Sequence, residues 1–345
     1  MYFIKKAKYI IREKRLKKVI NMWFKKLYVG TIDLLSAILE KIAKCNLACK
    51  IYKAVFQLGV FPKPKNFNEI VSNLVIEKDV TYESSILEGN KLDVYYPKSL
   101  NKKAPILMWI HGGGYIANSK ETVKNYMMTL ANKGFVVFNI DYALAPKYKY
   151  PSQILQCNEA LKYVFENAEK FNGDRENIFI GGDSAGAQMA SQLAAIISNE
   201  ELAKKMNLKP SITNKFLKGA ILFCGLYNMD SLRATKFPGI KTYMEALTGE
   251  SNFENYERID ELSTIKYITP NYPNTFITVG DIDPFVNQGK ELASSLRALG
   301  VKVVSRFFEN KGLWHEYQFK FSVKEARETF KSVVEFLNNN SKFTD

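Results

Sequence analysis

Gly182-Asp183-Ser184-Ala185-Gly186 sets a serine among small residues where the apolar run Ile178-Phe179-Ile180 breaks off. Ala187, Met189, Ala190, Leu193, Ala194 and Ile197 then recur at helical spacing. A serine on a tight strand-to-helix turn has its hydroxyl pushed above the sheet edge, where it can attack a carbonyl carbon. The hydroxyl is a poor nucleophile until a base takes its proton, and histidine is the usual base. The chain has two histidines. His111 opens the run Gly112-Gly113-Gly114, whereas His315 follows the last strand pattern, in Gly312-Leu313-Trp314-His315-Glu316, where a base can be delivered to the top of a sheet. Such a base needs a carboxylate to fix its tautomer and stabilise the imidazolium. Asp281-Ile282-Asp283-Pro284 supplies two, and Asp283 is favoured because it lies further from the strand with Pro284 stiffening the turn. Asp281 is the alternative, or a group that satisfies loop backbone. A tetrahedral oxyanion needs backbone donors that approach closely, which Gly113, Gly114 and the N–H of Ala185 can provide. Each motif alone has a plainer reading: a glycine-rich loop with a capping serine, or a histidine in the core. Together, in the order Ser184, Asp283, His315, they point to acyl-group chemistry.

These groups need a sheet to converge on. Ile106–Ile110, Phe135–Ile140, Ile178–Ile180, Leu217–Phe223, Thr275–Val279 and Val301–Phe308 read as strands. Helical patterns over Thr122–Asn132, Ile154–Ala168, Ala185–Ile197, Gln288–Leu299 and Val323–Leu337 fall between and after them. Alternation of this kind predicts an α/β fold with a mostly parallel sheet covered on both faces. Asp79–Leu87 and Lys91–Tyr96 predict a hairpin about Glu88-Gly89-Asn90. Residues 225–272 are too long for a plain connection and predict part of a cap over the site.

Charge divides the chain. Residues 1–65 carry 16 Lys/Arg against 3 Asp/Glu, and the other 280 carry 33 against 32, so the net +14 belongs almost wholly to the N-terminal segment. The near-neutral body argues against nucleic acid as a partner. Residues 1–75 predict a basic helical segment, with Leu16, Ile20, Trp23 and Leu27 on one face and lysines on the other, then Leu34–Ile42 and a third helix from Leu47 to Leu58. The segment is either part of the cap or a surface anchor, with peripheral contact to anionic membrane through residues 1–28. Cys45, Cys49, Cys157 and Cys224 form no zinc or disulfide pattern, which suits a reducing cytoplasm. No apolar run is long enough to span a bilayer, and no secretory signal is evident.

The chain resembles the hormone-sensitive-lipase-like branch of the α/β-hydrolases, the bacterial carboxylesterases with an H-G-G-G loop, over roughly residues 90–340. The likeness rests on His111-Gly112-Gly113-Gly114, Asp141-Tyr142-Ala143-Leu144-Ala145-Pro146, Gly182-Asp183-Ser184-Ala185-Gly186, Asp283-Pro284 and His315. It implies an α/β-hydrolase catalytic domain over 76–345, Asp283 as the acid and His111 as a loop organiser. The sequence departs from the family pattern at Ala143 (usually Arg), Lys147 (usually Glu), Ala187 (commonly Gly) and Glu316 (commonly Gly).

The expected activity is hydrolysis of small or medium acyl esters, with no metal or organic cofactor. An amidase or acyltransferase on the same triad is the nearest alternative. Non-catalytic binding proteins of this fold, such as the plant gibberellin receptors, lack the late histidine, so His315 argues against that class.

Overall fold

Alternating apolar strands and amphipathic helices form an eight-stranded sheet in the computed structural model, which describes Leu34, Ser36, Leu39, residues 44–57 and residues 61–341. The strands are β1 (Leu74–Thr81), β2 (Lys91–Pro97), β3 (Ala104–Ile110), β4 (Val136–Ile140), β5 (Gly173–Asp183), β6 (Leu217–Phe223), β7 (Asn274–Val279) and β8 (Val303–Phe307). Their spatial order is β1-β2-β4-β3-β5-β6-β7-β8. β2 pairs antiparallel with β1 and β4, and β4 through β8 run parallel. This is the α/β-hydrolase fold.

Helices α1 (Cys45–Gln57) and α2 (Phe67–Ser72) precede the sheet. α3 (Lys120–Ala131), α4 (Ser152–Asn167), α5 (Ala185–Ser198), α6 (Glu200–Lys205), α7 (Ile240–Thr248), α8 (Val286–Ala298) and α9 (Lys324–Asn340) follow in order. β3 is buried at every residue, as its continuous apolar run requires of a strand covered on both faces. Trp109 on β3 is fully buried, packs edge-on to Phe223 of β6 at 5.0 Å, and donates its indole N–H to Asp183 at 2.9 Å. Truncating it to alanine removes about 3–5 kcal/mol.

The first strand differs from expectation. It starts at Leu74 and ends at Thr81, so residues 82–87 are not strand. Side chains of α4 hold that stretch instead. Glu159 accepts hydrogen bonds from Ser84 and Ser85, and Gln156 donates to the carbonyls of Ile86 and Glu88. Polar groups on a neighbouring helix thus took the place of a partner strand, which alternation within the segment does not reveal.

α1 turns Ala48, Cys49 and Tyr52 inward and leaves Leu47, Ile51 and Val55 exposed. Tyr52 meets Tyr243 of α7 edge-on at 5.0 Å, and Cys45 Sγ lies 3.8 Å from the Thr242 carbonyl. The expected helix of residues 1–28, and its membrane contact, lie outside the described residues. Among the described residues no helix is long and apolar enough to cross a membrane.

Candidate active site

The sharp turn after β5 sets the site. Ser184 has φ 53° and ψ −120°, a backbone state that costs a non-glycine residue about 1–3 kcal/mol and that the surrounding structure must impose. Its N–H bonds to the Phe223 carbonyl at 2.8 Å, fixing the turn against β6. Gly186 permits the close approach to β3: a Cβ there would lie 2.0 Å from the Ile110 carbonyl oxygen. α5 begins at Ala185, so its first-turn N–H groups, without intrahelical acceptors, surround the serine with partial positive charge.

The structure brings Ser184, His315 and Asp283 together from three separate loops. His315 Nε2 lies 2.9 Å from Ser184 Oγ, and Nδ1 lies 2.7 Å from Asp283 Oδ2. The other Asp283 oxygen accepts the Phe285 N–H at 2.8 Å, so the carboxylate is fixed at both ends. Burial works to lower the His315 pKa, but the neighbouring Cys224 and the Asp283 carboxylate outweigh it, and the imidazole titrates well above its ordinary value. Phe237 and Phe285 stack on each other at 4.4 Å and wall the imidazole at 4.8 and 5.7 Å.

Asp281 does not reach the histidine. Its oxygens accept the backbone N–H groups of Lys311 (2.6 Å), Gly312 (3.0 Å) and Leu313 (2.6 Å), tethering the loop that carries His315. Burial raises its pKa, but these three donors outweigh burial and hold the carboxyl below its usual range.

The glycine run faces Ser184 across a cleft. Gly112 N–H is committed to Asp183 Oδ2 at 2.9 Å, which leaves Gly113 and Gly114 to line the cleft with Ala185. Gly113 has φ +121°, and a Cβ there would meet the Ala117 carbonyl oxygen at 2.2 Å, so the loop needs glycine. His111 lies behind the loop. Its ring stacks on Tyr142 at 4.4 Å, its Nδ1 lies 2.7 Å from the Gly112 carbonyl, and the Tyr142 hydroxyl donates to the His111 carbonyl at 2.9 Å. Burial pushes its pKa down to about 4, so it is neutral at physiological pH.

The cleft is small and apolar, about 30 Å³. That is room for roughly two waters. Its apolar wall is Phe56 of α1, Leu226, Phe237, Ile240, Tyr243 and Phe285. Most of these sit in the 225–272 stretch, Ile240 and Tyr243 on α7, where no motif marks them as a wall of the cleft; Phe285 follows a recognisable motif, Asp283-Pro284. Cys224 is a second residue that motif reading missed. Its sulfur, an Asp283 oxygen and a His315 nitrogen lie within 4.8 Å of one another, the one such histidine, cysteine and carboxylate group among the described residues. Burial raises the thiol pKa to about 11, and the carboxylate and imidazole already bind each other, so the group fits a hydrogen-bonded cluster better than a metal site. Where Lys147 departs from the family's usual Glu, it pairs with Glu88.

The BD-FAE family model matches residues 92–296. The chain belongs to this family of carboxylesterase-type α/β-hydrolases. Esterase LipQ of Mycobacterium tuberculosis is 26% identical over 259 residues, covering 72% of this chain and 59% of its own. The chain therefore spans about three-fifths of that relative's length. Kynurenine formamidase of Danio rerio is 26% identical over 226 residues, 65% of this chain and 70% of its own. The crystal structure of Esterase B from Lactobacillus rhamnosis superposes with a TM-score of 0.71 at 20% identity, covering 89% of this chain and 95% of that one, a likeness of fold.

Proposed function

We propose that the protein hydrolyses small acyl esters through Ser184, His315 and Asp283. The continuous hydrogen-bonded series from Ser184 Oγ through the imidazole to Asp283 is the observation that carries the reading. Ser184 Oγ attacks the ester carbonyl while His315 Nε2 takes its proton. The N–H groups of Gly113, Gly114 and Ala185 stabilise the oxyanion. Collapse breaks the bond to the alcohol, which leaves with the proton from Nε2, and the acyl group stays on Ser184. Water then attacks the acyl-enzyme, giving its proton to Nε2. The carboxylic acid departs as Ser184 recovers a proton. Asp283 accepts the hydrogen bond from Nδ1–H throughout.

α1 and residues 225–272 act as the cap in this reading: Phe56, Ile240 and Tyr243 close the acyl side of the cleft, and its small size favours short acyl groups. Formamide cleavage is the second reading, favoured by the likeness to a formamidase, whose acyl group is smaller still. A panel of p-nitrophenyl esters from acetate to decanoate, with an aryl formamide, separates the two when run on wild type and Ser184→Ala. The expected result is a kcat/KM maximum at acetate to butyrate, a fall for longer chains, and a loss of several orders of magnitude in Ser184→Ala. A folded Ser184→Ala enzyme with near-normal turnover would overturn the assignment; formamide preferred over every ester would move it to the amidase class.

A further inference from the structure

Glu316 occupies a position that its backbone suits to glycine. It stands at φ +55° and ψ 30°, the left-handed region, directly after His315. A glutamate is strained there by roughly 1 kcal/mol relative to glycine, yet its side chain turns into the cleft rather than out to water. Its Oε1 lies 4.0 Å from His315 Nε2. The same oxygen is 3.1 Å, and Asp183 Oδ2 2.5 Å, from where a Gly112 Cβ would stand, so two carboxyl groups flank the Cα of the oxyanion loop's first glycine. Asp183 itself is buried and held by Trp109 and Gly112 N–H donors.

We propose that Glu316 is a positioning residue of the esterase site: together with Asp183 it braces Gly112, and it sets a carboxylate beside His315 Nε2. The proposal rests on the triad reading above. Burial, and then the adjacent Glu316 carboxylate, raise the Asp183 pKa well above the carboxylate range. The titratable groups facing His315 are Asp283 at Nδ1, Cys224, and Glu316 at Nε2. Those facing Glu316 are His315 and Asp183, with Cys224 further off. Burial pushes the Cys224 thiol up to about 11, and the carboxylates that face the imidazole are Asp283 and Glu316. Ser184 Oγ, at 2.9 Å, keeps the hydrogen bond to Nε2, and Glu316 at 4.0 Å acts through its field alone.

That field has two consequences of opposite sign. It stabilises the imidazolium as the serine proton arrives, raising the maximal rate. It also stabilises the imidazolium of the resting enzyme, so the active neutral form is reached only at higher pH.

The experiment is the pH profile of kcat/KM for p-nitrophenyl acetate with wild type, Glu316→Gln and Glu316→Gly, alongside Ser184→Ala. Both Glu316 variants should move the acid limb down by about one pH unit, as removal of a charge 4 Å away requires. Their plateau should fall about threefold to tenfold, because a less basic imidazole is a weaker base. Glu316→Gly also relieves the left-handed strain, so it keeps the proposal testable if the glutamine variant folds poorly. A limb that coincides with wild type in the folded variants, with Ser184→Ala inactive, overturns this inference alone. Activity retained by Ser184→Ala overturns the triad reading and this inference with it.

Discussion

The two aspartates of Asp281-Ile282-Asp283 should fail in different ways when each is changed to asparagine. Asp283 Oδ2 accepts from His315 Nδ1 at 2.7 Å while Oδ1 accepts from Phe285 N–H at 2.8 Å. An asparagine keeps one acceptor oxygen and sets an NH2 against the other donor. If the NH2 faces Nδ1, the imidazole takes the tautomer protonated at Nε2, which cannot accept the serine proton. The cost is about 10⁴ in kcat, or about 5 kcal/mol in the barrier. Asp281 instead satisfies three backbone donors of residues 311–313, and an asparagine leaves at least one of them facing an amide NH2. That loses about 1–3 kcal/mol of stability and lowers Tm by roughly 2–5 °C, with kcat/KM kept within about tenfold because the triad distances survive.

The pH dependence separates the two further. Burial raises the Asp281 pKa, its three donors lower it by more, and the net depression makes its stabilising contribution present at neutral pH. That contribution is lost as pH falls from the unfolded value, about 3.9, through the lower folded value. The Tm gap between wild type and Asp281→Asn should therefore close in acid. The assay is ester hydrolysis together with thermal unfolding between pH 3 and pH 8. Near-normal kcat in Asp283→Asn, or a 10⁴-fold loss in Asp281→Asn at unchanged Tm, would refute the reasoning.

Wild-type kcat/KM should rise through an acid limb above pH 6.5, because His315 acts as a base only when neutral and its pKa is raised by Cys224 and Asp283 against the effect of burial; a limb at or below 6.5 counts against that environment. The same raised pKa stabilises the fold fully below the unfolded value and loses that contribution as pH rises through the folded one. Residues 1–28 are proposed as a peripheral anchor, with the exposed Leu47, Ile51 and Val55 of α1 as an apolar face on the same segment. Co-sedimentation with anionic vesicles should be salt-sensitive, since each basic side chain adds about 1 kcal/mol there, and should fall on truncation to Leu27. Binding that is unchanged by truncation or by salt removes the anchor.

The chain order Ser184, Asp283, His315, the glycine run and the alternation of strands with helices were legible because each is a local pattern. A strand buried on both faces must be apolar throughout, a nucleophile turn must be flanked by small residues, and a loop approaching an oxyanion must lack Cβ atoms. The helix of α1 and strand β6 follow from the same periodicities. What only the tertiary structure decided are relations between loops far apart in sequence. Asp281 and Asp283 are two residues apart and chemically alike; which one meets His315 depends on where the 311–315 loop lies across from them. The extent of β1 was set by Glu159 and Gln156 on α4, which hold residues 84–88 away from strand pairing. Glu316 reads in sequence as a plain departure from a family glycine. Its charge acquires meaning only through Asp183 and Nε2 of His315, because a field acts through distance in space and the sequence records only distance along the chain.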